Sequence, residues 1–199
     1  RLICAGVATL TDRSGLLHID PDRRPEGRPT GRRALRVEES VPSLTELLLF
    51  MREFSGGAVK LSPASNFGGK FPDAEIELVS LSGECKEATV WFGELASPGL
   101  WRATVLPEGA TLAGNPLDVA TEIGPLQNYL YDPDPAVVRA GLVDLMAHQA
   151  GLTRLDSAEE YLTSAARIDT PFARPFEVLA DFPNNDREIR AYFREGKFG

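Results

Sequence analysis

Cysteine is almost missing from this chain: Cys4 and Cys85 are the only two in 199 residues. Two thiols are too few for a disulfide framework or a zinc site, and they fit a reducing compartment, so a cytoplasmic setting is expected. Histidine is equally scarce. His18 and His148 stand in no ligand-spaced cluster, so both read as packing or surface residues and no metal is expected. No apolar run is long enough to span a bilayer and no signal peptide is visible, so no membrane partner is expected. Positive charge is also short: 21 Lys and Arg face 29 Asp and Glu, a formal charge of -8. Such a chain does not grip nucleic acid by overall attraction. Only Arg23 to Arg36 is locally basic, and Glu38 and Glu39 follow it at once. Internal repeats and low-complexity tracts are missing too. The sequence leaves the oligomeric state open.

What is present is globular: 43% hydrophobic and 25% charged residues can build a core. The stretch Leu16 to Arg24, LLHIDPDRR, organises the rest. Leu16, Leu17 and Ile19 suit a buried strand, and Pro21 cannot donate to a ladder, so the strand must stop there. In open α/β sheets ligands bind beyond the carboxyl ends of strands. Asp20-Pro21 at such an end, with Arg23, Arg24, Arg28, Arg32 and Arg33 close behind, puts one carboxylate and five guanidinium groups near a ligand crevice. The same residues also read as a solvated polar loop.

Further along, Leu2 to Leu10 reads as a short strand or the tail of an earlier unit. Because the chain opens on Arg1 and enters strand-like sequence almost at once, a fragment of a longer protein is expected. Ser43 to Phe54 reads as a helix, with Ser43 and Glu46 in a capping box and Leu44, Leu47, Leu48 and Met51 on one face, ended by Ser55-Gly56-Gly57. Ala58 to Leu61 is a short buried strand carrying Lys60. Glu75 to Leu81 and Glu84 to Phe92 form a hairpin across Ser82-Gly83, with Ile76, Leu78 and Ser80 on one face. Leu100 to Leu106 is a further strand. A boundary falls near Gly109 to Pro116, and Gly124 to Tyr131 reads as a turn or short helix. Pro135 to Ala150 reads as one helix, capped by Asp134 and closed by Gly151, with Val138, Leu142, Leu145 and Met146 as its stripe. Leu152 to Leu155, Tyr161 to Thr163 and Phe176 to Leu179 are short strands, and Asp186 to Glu195 is a helix with Ile189, Tyr192 and Phe193 facing inward.

The order DPDRR, GRR, helix, AVKLSP, EIELVS-LSGE-CKEATVWFG resembles the carboxyl-terminal half of a class I S-adenosylmethionine-dependent methyltransferase, in a bacterial group that carries a THUMP-like domain at its end. YLYDPDPAVVRAGLV, Tyr161-Leu162-Thr163 and PFARPFEVL resemble that terminal module. The resemblance implies an α/β fold: the second half of a Rossmann-like sheet with an antiparallel final hairpin in residues 1–112, then a small α+β THUMP-like module in residues 113–199. It implies S-adenosylmethionine as cofactor and RNA as partner. The family's Gly-rich turn after the first strand and acidic residue after the second are not in this chain, so the donor would be bound mainly by residues outside it. Ile19 and Asp20 would be the cofactor contacts here. Asp20-Pro21 lacks the second proline and the aromatic residue of the motif used for methylating base nitrogens, which leaves the acceptor atom open.

On that resemblance Asp20 and Pro21 are the catalytic residues, and Asp22, Arg23, Arg24 and Lys60 bind substrate. Asp20 would accept a hydrogen bond or a proton from the acceptor; alternatively it caps the following turn. Arg23 and Arg24 would hold a phosphate or carboxylate, or pair internally with Asp22 or Glu26. Lys60 either partners Asp20 or reaches into solvent. Trp91 and Trp101 read as packing residues before base-stacking ones, and Arg139 faces RNA or solvent. Two function classes stand side by side: an enzyme that methylates RNA, and a non-catalytic RNA- or protein-binding module.

Overall fold

In the computed structural model residues 13–22 and 36–196 are described. The strand expected within Leu2 to Leu10 lies outside them, as do Arg23, Arg24, Arg28, Arg32 and Arg33. Strand β1 (Leu16–Ile19) pairs in parallel with β2 (Gly56–Leu61), and helix α1 (Leu44–Glu53) connects them. The helix begins where expected. Ser43 accepts from the Glu46 amide, and the Glu46 carboxylate accepts from the Ser43 amide and hydroxyl, each at 2.8 Å. These bonds hold the Glu46 carboxyl below the ordinary range. The cap is therefore complete at neutral pH and weakens as pH falls through that lowered value. Leu47 is fully buried, with Leu44, Leu48 and Met51 packed against the same core. Gly56 and Gly57 do more than end the helix, since both already belong to β2.

Strands β3 (Glu75–Leu81) and β4 (Glu84–Gly93) form the expected hairpin, with positive φ at both Ser82 and Gly83. Such a turn follows the twist of the strands it joins. Ile76, Leu78 and Ser80 are buried, as the alternation predicts. The hairpin folds back so that its second strand lies beside β2. With β5 (Trp101–Leu106) parallel to β3 and β6 (Ala110–Gly114) antiparallel to β5, the sheet order is β1-β2-β4-β3-β5-β6. Sequence reading missed β6, whose pattern has one buried residue, Leu112. A boundary between residues 112 and 113 falls inside this strand.

The second sheet is fully antiparallel, in the order β10-β7-β9-β8: β7 (Tyr129–Pro133), β8 (Thr153–Arg154), β9 (Leu162–Ser164) and β10 (Ala173–Glu177). Tyr129 to Tyr131, read as part of a turn or short helix, is the start of its central strand. Tyr131 is fully buried; its hydroxyl accepts from the Ile168 amide at 2.7 Å and lies 3.1 Å from the Ser164 hydroxyl. Tyr131→Phe removes that acceptor and leaves a backbone N–H unpaired. A loss of about 1–3 kcal/mol is expected, read as a lower urea midpoint with unchanged slope.

The single helix expected over Pro135 to Ala150 is two: α2 (Pro135–Arg139) and α3 (Val143–Ala150). Gly141 takes φ +70, its amide donates to the Val138 carbonyl, and the Leu142 amide donates to Val137. That is a Schellman ending, which a glycine in mid-stripe makes possible. The break lets Val137 and Leu142 both be fully buried. α2 packs across β3, β4 and β5, and so joins the second unit to the first sheet. The last helix, α4 (Asp186–Glu195), buries no residue, and Phe193 is 56% exposed. On its apolar side Tyr192 meets Phe182 with ring centroids 4.9 Å apart, and Tyr192 and Phe193 line a hollow with Leu126, Leu130 and Leu155. Among the described residues no helix is long and apolar enough to cross a membrane.

Candidate functional site

β1 is an outer strand among the described residues, and it is less buried than its composition predicts. Leu16 is 61% exposed and only Ile19 is fully buried. The strand has a single neighbour, β2, so one of its edges carries no partner among the described residues. The proline does end the strand: β1 stops at Ile19, and Pro21 is buried while Asp20 and Asp22 stay exposed.

Parallel pairing of Ile19 with Val59 brings Asp20 beside Lys60 at the carboxyl rim. The Lys60 ammonium lies 3.9 Å from an Asp20 carboxylate oxygen and 3.4 Å from one of Glu87. Of the two alternatives for Lys60, partnering Asp20 is therefore the one observed. All three side chains are well solvated, so the pairs contribute little stability, about 0–1 kcal/mol each. Their effect is placement: one cation sits between two carboxylates, and the Asp20 carboxylate remains open to solvent. Glu87 escaped sequence reading because it reaches Lys60 only through the β4-beside-β2 order, which linear spacing does not reveal.

Asp22 is fixed by its backbone, which exchanges both hydrogen bonds with Val41, at 2.8 and 2.9 Å. This bridge fastens Val41 to the residue two positions after Asp20. The Ser40 hydroxyl donates to Val37 and Pro42 carbonyls and secures the returning strand of chain. Arg23 and Arg24 themselves lie outside the described residues.

The indoles are structural. The Trp91 ring nitrogen donates to Glu77 at 2.8 Å, and Thr104 donates to the other Glu77 oxygen at 2.6 Å. Trp101 meets Phe67 edge-on, with ring centroids 6.2 Å apart. Cys85 is half-buried; burial first, then Asp134, pushes its thiol up, against an opposing pull from Arg139. It is therefore not an activated nucleophile at neutral pH. Among the described residues no group of His, Cys, Asp and Glu is suited to hold a metal ion.

Arg139 is exposed, in line with the solvent alternative for it. It is also tied to the protein: its Nε donates to the Pro63 carbonyl at 2.9 Å and one terminal nitrogen donates to the Ser65 carbonyl at 3.0 Å. The second unit thus grips the loop that leaves the carboxyl end of β2.

This fold has a counterpart among solved structures. A protein of Porphyromonas gingivalis W83 assigned as a methyltransferase superposes with a TM-score of 0.71 over 90% of this chain and 47% of its own, at 19% identity. That likeness defines the fold. In sequence, the chain is 35% identical over 182 residues to S-adenosylmethionine-dependent methyltransferases of Mycobacterium tuberculosis strains CDC 1551 / Oshkosh and ATCC 25618 / H37Rv, both described as uncharacterized. The match takes in 89% of this chain and 49% of each relative, so the chain spans about half the length of the curated relatives it matches. No family model matches it.

Proposed function

We propose that this chain is the carboxyl-terminal half of an S-adenosylmethionine-dependent methyltransferase that acts on RNA in the bacterial cytoplasm, with residues 113–199 as its THUMP-like domain. One observation carries the reading: the chain that matches half of two such methyltransferases places Asp20 beside Lys60 at the open end of adjacent parallel strands. Methyl transfer breaks a sulfonium S–C bond as the acceptor lone pair forms the new one, so the protein's work is placement and electrostatics. Asp20 takes the acceptor's proton or hydrogen bond, and Lys60, held also by Glu87, keeps that carboxylate aimed along the rim. Pro21 shapes the floor, while Asp22, Arg23 and Arg24 bind the polar substrate.

Ile19 and Asp20 would form one wall for the methyl donor. The other contacts would come from residues that pair with the free edge of β1, and the exposed Leu16 supports this, as does the relatives' doubled length. The half-length match also favours a second reading, in which this chain alone is a non-catalytic RNA- or protein-binding module.

Calorimetric titration with S-adenosylmethionine separates the two. Binding to a protein of the relatives' full length and none to this chain is the expected result; silence in both removes the enzyme reading. Mass spectrometry of total RNA from cells with and without the gene then identifies the acceptor, through the loss of one methylated nucleoside.

A further inference from the structure

Arg139 has five N–H donors in a planar fork. The edge formed by Nε and one terminal nitrogen is spent on the Pro63 and Ser65 carbonyls. Among the described residues the opposite edge, between the two terminal nitrogens, has no acceptor, and no carboxylate lies within ion-pair distance of Arg139. That guanidinium lines a hollow of about 240 Å³ together with Ala64, Asn66, Gly68, Phe67 and Trp101. Asn66 spends its carbonyl oxygen on the Gly68 amide, at 3.1 Å. Its amide nitrogen makes no hydrogen bond among the described residues.

We propose that this hollow is a subsite for one phosphate group, taken bidentately by the free edge of Arg139 with the Asn66 amide as a further donor. Four features favour an oxyanion. Arg139 and Asn66 both bring N–H donors to the lining, and among the described residues no acidic side chain lines the space. The guanidinium is held in place before any ligand arrives, so little ordering cost remains. A planar fork also matches two phosphate oxygens better than a lone ammonium does. The larger hollow at the junction of the sheets contrasts with it, since Glu108, Asp132 and Asp134 line that space against one guanidinium, Arg174, and its net charge disfavours phosphate. The loop carrying Asn66 starts directly after β2, so a phosphate here would tether a substrate whose reacting end lies toward Asp20. That last step rests on the methyl-transfer reading; the subsite does not.

The test therefore uses this chain without any methyl donor. Amide and indole resonances are followed in titrations with inorganic phosphate and, separately, with a short single-stranded RNA. Phosphate is expected to shift Asn66, Gly68 and the Trp101 indole first, with a dissociation constant on the order of 1–10 mM. Arg139→Ala should abolish the saturable shift. Asn66→Asp keeps the acceptor for Gly68, leaves the Arg139 clamp in place and adds a negative charge, and it should weaken binding at least tenfold in a chain that still folds. If RNA moves the same resonances at lower concentration, the ligand is a phosphodiester; if only inorganic phosphate does, it is a small phosphorylated molecule. Shifts scattered over the surface, or shifts unchanged by Asn66→Asp, overturn the subsite.

Discussion

Gly57→Ala is expected to destabilise the chain by about 3 kcal/mol or more, and to do so by detaching β1. A Cβ at this position would lie 1.9 Å from the Leu17 carbonyl oxygen and 2.8 Å from the end of the Phe92 ring. Neither neighbour can yield cheaply. The first is backbone of the strand that pairs with Gly57, and Phe92 is 2% exposed in the core. Overpacking a flexible side chain costs about 1–3 kcal/mol, and a clash with backbone costs more. β1 has four residues and, among the described residues, one neighbour, so the least costly relief is for it to leave the sheet. Hydrogen exchange should therefore show lost protection at residues 16–19 while β3 and β4 remain slow. Gly124→Ala is the control: the added carbon meets only Thr153, at 3.7 Å or more, so a change within about 0.5 kcal/mol is expected. Equal urea midpoints for Gly57→Ala and the parent chain would mean that β1 and β2 do not pack as described.

The sequence made the local elements readable wherever a side chain explains its own position. Ser43 and Glu46 announce the start of α1, Pro21 the end of β1, Ser82-Gly83 the hairpin turn, and Asp134-Pro135 the start of α2. Each of these signals acts within four residues, the range over which spacing encodes geometry. Signals that depend on long-range pairing failed. The apolar residues of β1 predicted burial, yet Leu16 is exposed: burial needs a partner on the strand's outer side, and none stands there among the described residues. The stripe from Val138 to Met146 predicted one helix, but the stripe is equally satisfied by two short ones hinged at Gly141. For α4, Ile189, Tyr192 and Phe193 share a face, but a shared face implies burial only where another element covers it.

The site divides along the same line. Asp20 stands out in the chain because a strand, a carboxylate and a proline coincide there. Lys60 follows from it, since a lysine in an apolar run needs a partner and the next strand in order supplies the neighbour. Glu87 and Arg139 were not legible. Glu87 sits on the second strand of a hairpin, and whether that strand or the first lies beside β2 depends on which way the hairpin folds. Arg139 acts through its contact with a loop some 74 to 76 residues away, and a helix sequence carries no sign of such a partner.

Asp20→Asn, in a protein of the relatives' full length, should lower turnover of the methylated acceptor by about 10²- to 10⁴-fold, the range usual for losing a positioned proton acceptor. The amide keeps the size of the side chain and can still reach Lys60, so the fold should be untouched: Asp20 is 64% exposed and its ion pair at 3.9 Å contributes little. Affinity for the methyl donor should change less than threefold. This pairing of a large loss in turnover with nearly constant donor binding separates a chemical role from a packing one. Lys60→Met tests the second half of the argument. If the ammonium only orients Asp20, removing it leaves Asp20 and Glu87 about one lysine apart with no cation between them, and activity should fall by about tenfold, partly restored by adding Glu87→Gln. If instead Lys60 contacts substrate, Glu87→Gln restores nothing and the loss appears in KM. An Asp20→Asn protein with undiminished turnover would show that the carboxylate is only the cap of its turn, and the proton would have to leave the acceptor by another route.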